Sequence, residues 1–105
     1  MIEEKLVKLK NNVKKNPGSP LARYALANEF FKQKMFIDAI DELKRYLEIY
    51  DDEGAAYRML AYSYEELGKK KEAIQSFKEG IKAAEKNNHD SMVEEFEEEI
   101  ERLQG

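Results

Sequence analysis

The chain is 105 residues long, 42% hydrophobic and 38% charged, with a formal net charge of −4, a profile of one folded domain rather than a disordered tail. It has no cysteine, which excludes a disulfide framework, a thiolate metal site and a cysteine nucleophile, and its acidic balance argues against nucleic acid as a partner. The opening MIEEKLVKLKNN is charged throughout and offers no apolar run of signal-peptide or membrane-span length, so a cytoplasmic chain with no membrane partner is expected.

Leu6, Leu9 and Val13 recur at helical spacing and predict a first helix near 2–15. Ser19 followed by Pro20 reads as an N-cap and a first-turn proline, opening a helix near 20–33 whose apolar positions are 22, 26, 27 and 30. A third helix near 36–50 carries Ile40, Leu43 and Leu47. Asp51, Asp52 and Glu53 then place negative charge at the start of a fourth, near 54–67, where the helix dipole favours it. In LAYSYEELGKKKEAI, residues 60–74, Gly68 separates two helical patterns. Glycine takes the left-handed conformation without steric cost, so it predicts a joint between the fourth helix and a fifth near 70–86. Ser91 with Glu94 matches a capping box and opens a last helix near 91–103.

The chain also repeats. LANEFFKQKMFIDAI from Leu26 matches LAYSYEELGKKKEAI from Leu60 at an offset of 34 residues: Leu26 and Ala27 fall on Leu60 and Ala61, Phe30 on Tyr64, Ala39 and Ile40 on Ala73 and Ile74, and Leu43 on Phe77. Leu6, Leu9 and Val13 extend the pattern upstream. That period predicts stacked helix-turn-helix units, and the short connections predict antiparallel hairpins. The expected architecture is all-α, a solenoid of antiparallel helix pairs. Lys34 stands where Gly68 stands one period later, which predicts a first turn that is either slightly strained or differently shaped.

These residues resemble the tetratricopeptide repeat family. Tyr57, Leu60, Ala61, Tyr64, Gly68, Ala73 and Phe77 fit its pattern in one repeat, and Leu26, Ala27, Phe30, Ala39 and Leu43 in the other, where Arg23 replaces the early aromatic. Pro17 stands where a preceding repeat would close, whereas Asp51 and Glu85 occupy the closing positions of the two full repeats. The resemblance implies a single domain over 1–105: an orphan helix at 2–15, repeats at 20–53 and 54–87, and a capping helix at 91–103. The tail NNHDSMVEEFEEEIERL further resembles the ending of small bacterial members. Ala27, Ala39, Ala61 and Ala73 are small where helices must approach closely. Met92, Phe96, Ile100 and Leu103 form one stripe of the last helix, with acidic residues around the rest.

The resemblance also implies a concave face, lined by the first helix of each pair, that binds a peptide or a partner's helix. Tyr24, Asn28, Phe31 and Lys32 in the first repeat, and Arg58, Tyr62, Glu65 and Glu66 in the second, are the candidate partner-binding residues. Their mix of aromatic and polar groups suits a binding surface, although Tyr24, Phe31 and Tyr62 also read individually as packing residues. One specialisation of the family clamps a C-terminal carboxylate with lysines and asparagines. Asn28 matches it, but Tyr24 and Met59 replace a lysine and an asparagine of that clamp, which favours a different or more apolar ligand.

Other residues support blander readings. His89, the only histidine, reads as a turn residue; Asp51–Glu53 lack calcium-loop spacing; Lys69–Lys71 read as a solvated corner. No phosphate loop, nucleophile elbow or HExxH segment occurs. The expectation is a non-catalytic interaction module with no cofactor or metal. The alternative is a self-associating structural protein pairing head to tail, because residues 1–19 carry five lysines against two glutamates, and residues 85–105 carry eight acids against Lys86 and Arg102.

Overall fold

The structure, a computed structural model, describes residues 2–105. Its helices run α1 (Ile2–Lys15), α2 (Pro20–Lys32), α3 (Phe36–Ile49), α4 (Ala55–Glu66), α5 (Lys70–Lys86) and α6 (Asp90–Gln104), with no strand among the described residues. The fold is all-α. The chain divides after Tyr50 into two compact units, α1–α3 and α4–α6.

In unit 1, Ser19 Oγ accepts the Ala22 N–H at 3.2 Å, and Pro20 opens α2. Leu6, Val13, Ala22, Leu26, Phe30 and Ala39 form the core, with Leu9, Phe31 and Met35 packed against it. α2 and α3 are antiparallel: Phe31 meets Phe36 next to the turn, and Tyr24 meets Tyr46 at the far end. Arg23, at the position where the repeat pattern places an aromatic, instead directs its guanidinium onto both carboxylate oxygens of Glu42 and donates through Nε to the Pro17 carbonyl. Both partners of that ion pair are largely buried. Glu29, also buried, is satisfied by Lys5 of α1 at 3.1 Å and by Gln33 at 2.6 Å.

Unit 2 is built on Ala61, Ala73, Phe77, Phe96 and Leu103, with Tyr62, Tyr64, Ile74, Ile81, Met92 and Ile100 around them. Phe77 is central, its ring 5.6 Å from that of Tyr62 and 5.4 Å from that of Phe96. Gly80 on α5 makes this packing possible: a Cβ there would lie 2.7 Å from the Phe96 ring and 3.0 Å from Tyr57 Cβ. The acidic run before α4 does more than complement a dipole. Asp52 is buried, and its Oδ2 accepts the Gly54 and Ala56 N–H groups at 2.8 and 2.9 Å, satisfying donors that the helix start leaves open.

One expected cap does not form. α6 begins at Asp90, so Ser91 already lies inside its first turn and makes no capping box with Glu94; the carbonyl of His89 instead receives the Met92 and Val93 N–H groups. The reason lies one step upstream, in the turn. Asn88 takes a φ of 59°, and the His89 N–H folds back to the Ala84 carbonyl, so the chain re-enters a helix immediately.

The same turn occurs three times. Gly68, at φ 74°, donates its N–H to Glu65 O while the next residue donates to Tyr64 O; Lys34, at φ 61°, repeats this with Phe31 O and Phe30 O. The turn at Lys34 therefore has the Gly68 shape, and a lysine bears the left-handed conformation. For a non-glycine residue that conformation costs about 1–2 kcal/mol. Replacing Lys34 with Gly should therefore raise stability by about 1 kcal/mol, less the entropy glycine adds to the unfolded chain, and Gly68→Ala should lower it by about 1 kcal/mol. Urea unfolding checks the pair, and a Lys34→Gly midpoint below that of the parent chain would contradict the strain. Gly80→Ala should destabilise by about 1–3 kcal/mol through overpacking, in spite of alanine's better helix propensity.

Candidate functional site

The eight candidate residues lie on α2 and α4, four in each unit, and the structure gives them different roles. On α2, Asn28 and Lys32 are exposed. Phe31 is drawn into the unit 1 core and set edge-on to Phe36, 5.7 Å between ring centroids, so its ring serves packing. Tyr24 is half-buried and stacks on Tyr46 at 5.1 Å; Tyr46 in turn meets Tyr50 at 5.4 Å.

On α4, three of the four residues are engaged by neighbouring helices of unit 2. Arg58 makes a paired contact with Glu95 of α6, at 2.6 Å from Nε and 2.7 Å from Nη2, and its guanidinium lies 5.5 Å from the Phe96 ring centroid. Glu65 receives both amino groups of Arg102 at 2.7 and 2.9 Å. Tyr62 packs edge-on against Phe77; burial, reinforced by the negative charges of Glu99 and Glu95, raises its phenol above the usual range. Glu66 is exposed.

The pairs Arg58–Glu95 and Glu65–Arg102 each span 37 residues, so α6 runs parallel to α4 in one fixed register. Ion pairs of this exposure contribute about 0.2–1 kcal/mol each, whereas full burial of a side chain such as Phe96 contributes about 1.5–3 kcal/mol. Apolar packing therefore holds α6 in place, and the charged pairs select its register. The Arg102 guanidinium holds the Glu65 carboxyl below the ordinary carboxylate range, and the carboxyls of Glu65 and Glu99 push Arg102 further up.

A different group gathers at the end of the α2–α3 hairpin remote from its turn. Pro20, Leu21, Tyr24, Tyr46 and Tyr50 line an open depression of about 390 Å³. Leu21 is 82% exposed, Tyr50 is 48% exposed, and the buried Tyr46 lies between the rings of Tyr24 and Tyr50. Only Tyr24 of this set was among the sequence candidates. The signal was available: antiparallel pairing brings the start of α2 to the end of α3, and Leu21, Tyr24, Tyr46 and Tyr50 are the large apolar or aromatic residues there at helical spacing. One period later the positions of Tyr46 and Tyr50 are Gly80 and Ala84, and the tyrosine stack is a feature of unit 1 alone. Among the described residues no three His, Asp or Glu side chains converge as metal ligands, and no helix is long and apolar enough to cross a membrane.

No protein-family model matches the sequence, and no curated protein matches it. The fold is similar to the solution structure of protein BPP2914 from Bordetella parapertussis, with a TM-score of 0.80 and 20% sequence identity over 94% of this chain and 86% of that one.

Glu65 and Glu29 both have carboxyls below the ordinary value of 4.5, Glu65 through its bonds from Arg102, Glu29 through those from Gln33 and Lys5. The unfolded chain therefore binds protons more readily than the folded one, and the stability these groups add is complete above about pH 4.5 and lost as pH falls through their lowered values. The thermal midpoint should drop on acidification below about pH 4.5, and Glu65→Gln should lower the midpoint at neutral pH while making the acid decline shallower. Circular-dichroism melts of the two proteins with parallel acid slopes would remove Glu65 from this account.

Proposed function

We propose that the chain is a non-catalytic, cytoplasmic interaction module of tetratricopeptide-repeat type that binds a short protein segment. Three features support the repeat reading. Lys34 and Gly68, one period apart, close their hairpins with the same pair of backbone bonds. The alanines at 27, 39, 61 and 73 are all fully buried. Phe30 and Tyr64, also one period apart, both pack at the core of their units.

The observation that carries the binding reading is the depression at Leu21, Tyr24 and Tyr50. Leu21 is left open to solvent and Tyr24 and Tyr50 each keep a wet edge while stacking on Tyr46, and aromatic groups with a wet edge are the residues that dominate binding energy at protein interfaces. Candidates on α4 are less available, because Arg58 and Glu65 are held by α6. The binding surface is thus centred on unit 1, with Asn28 and Lys32 further along the same helix. A contact this small predicts affinities of about micromolar or weaker.

Selection from a random-peptide display library, followed by titration of the winners, tests the reading. Selected peptides should bind the parent chain and lose at least about tenfold in affinity against Leu21→Glu, a change at an exposed position that leaves the melting midpoint in place. Equal affinity for parent and variant would place the surface elsewhere on the molecule.

A further inference from the structure

We infer that the chain pairs with a second copy of itself, the basic side of α1 in one copy receiving the acidic outer face of α6 in the other. This surface shares no residue with the Tyr24 depression and does not depend on it.

The receiving side is an open depression along α1, where Val7, Lys10 and Lys14 border Val13, Leu26 and Glu42. Val7 is 55% exposed, and it joins this depression to another beside Glu3, Glu4 and Lys8. Glu42 does not offset the lysines, because it is already bound to Arg23 in a largely buried pair. The Lys10 ammonium is steadied over the Phe30 ring, 5.7 Å from its centroid, and Lys14 is exposed one turn further on. The depression thus sets an apolar strip beside two ammonium groups. Its fitting occupant brings carboxylates together with some aliphatic surface.

α6 has that pattern. Glu94, Glu97, Glu98 and Glu101 recur at i, i+3, i+4 and i+7 and are all exposed. Arg102, the basic residue of α6, is turned toward α4, where Glu65 holds it together with Glu99, so it leaves the acidic stripe unneutralised. Ile100 lies half-buried at the border of that stripe. When the two helices are laid antiparallel with Val7 against Ile100, Lys10 comes opposite Glu97 and Lys14 beside Glu94, while Glu3 and Glu4 fall beyond Glu101. The same direction sets the N-terminal end of each helix beside the C-terminal end of the other, which the helix dipoles favour. α1 and α6 are also matched in length, at 14 and 15 residues. A second copy is the occupant because every molecule that carries the basic depression also carries its acidic complement.

The two faces differ, so the contact is heterologous. One helix laid on another covers less than the roughly 1,200 Å² of the smaller specific interfaces, and the expected dissociation constant is about 100 μM.

Sedimentation equilibrium of the full chain from about 10 μM to about 1 mM should show a mass that rises with concentration at about 0.02 M salt and falls back at about 0.3 M salt. The double variants Lys10→Glu/Lys14→Glu and Glu94→Lys/Glu97→Lys should each lose at least about tenfold in self-association. Mixed in equal amounts they should regain it, since one supplies a native α6 and a reversed α1 and the other the converse; misfolded variants would not complement each other. Leu21→Glu should associate as the parent chain does, which separates this contact from the segment-binding surface. A parent chain that stays monomeric through about 1 mM at low salt would overturn the inference. So would association indifferent to salt and to both double variants, association abolished by Leu21→Glu, or a mixture no more associated than its two components.

Discussion

Three of the helix pairs in this molecule, α2–α3, α4–α5 and α5–α6, depend on one backbone event, a single residue in the left-handed conformation that ends a helix and reverses the chain. At Lys34, Gly68 and Asn88 the same two N–H groups fold back onto the carbonyls of the last helical turn. That geometry satisfies acceptors the helix end would otherwise leave open, and it sets where the next helix begins. The pairings that follow are consequences of it. Phe31 can meet Phe36, and Tyr24 can meet Tyr46, only when α2 and α3 reverse at Lys34. In unit 2, Tyr62 reaches Phe77 because α4 and α5 reverse at Gly68. Glycine meets this demand without steric penalty at one of the three positions; a lysine and an asparagine bear it at the other two, and asparagine is the better suited of those.

Once the direction is fixed, side-chain size decides how closely the helices approach. Ala61 and Ala73 let α4 and α5 close on each other, and Gly80 admits the Phe96 ring of α6. The end helices show the converse. α1 has Lys5 where the later helices of the same register have the fully buried Ala39 and Ala73. Its ammonium is directed onto Glu29 of α2, so this position carries an ion pair to the neighbouring helix where the later ones carry a close alanine contact. α6 likewise presents Glu94, Glu97, Glu98 and Glu101 to solvent. α1 and α6 both carry exposed charged residues, and α1 also exposes Val7.

Helix positions were legible because the 34-residue period, the Ser19–Pro20 start and Gly68 are local signals, and the observed boundaries lie within one residue or so of the expected ones. Legibility fell where a partner distant in sequence decides the outcome. Arg58 and Glu65 look like open polar groups until α6 is in place with Glu95 and Arg102 37 residues away. Phe31 looks like part of a binding face until α1 and α3 enclose it with Leu6 and Ala39. The Ser91 and Glu94 motif carried the composition of a capping box, but Asn88 had already set the helix start, and the competing turn prevailed. The tyrosine stack was missed for a related reason: its members come from two helices, and neither contributes a cluster by itself.

The physical character of that stack follows from the hairpin that holds it. Tyrosine rings have only two side-chain torsions to lose, so they supply contact area at small entropic cost. Tyr46, buried between Tyr24 and Tyr50, holds both neighbours within ring-contact distance before any ligand arrives. The surface is thus preorganised on two helices whose relative direction is set by the turn at Lys34, and a change in that turn would alter the stack from the opposite end of the hairpin. Preorganisation reduces the free energy lost on association but adds no area. On the proposed binding reading, a surface of five residues stays weak however well it is held, and useful affinity would require either a high local concentration of the segment or several copies of it on one partner, each raising the effective concentration for the next encounter.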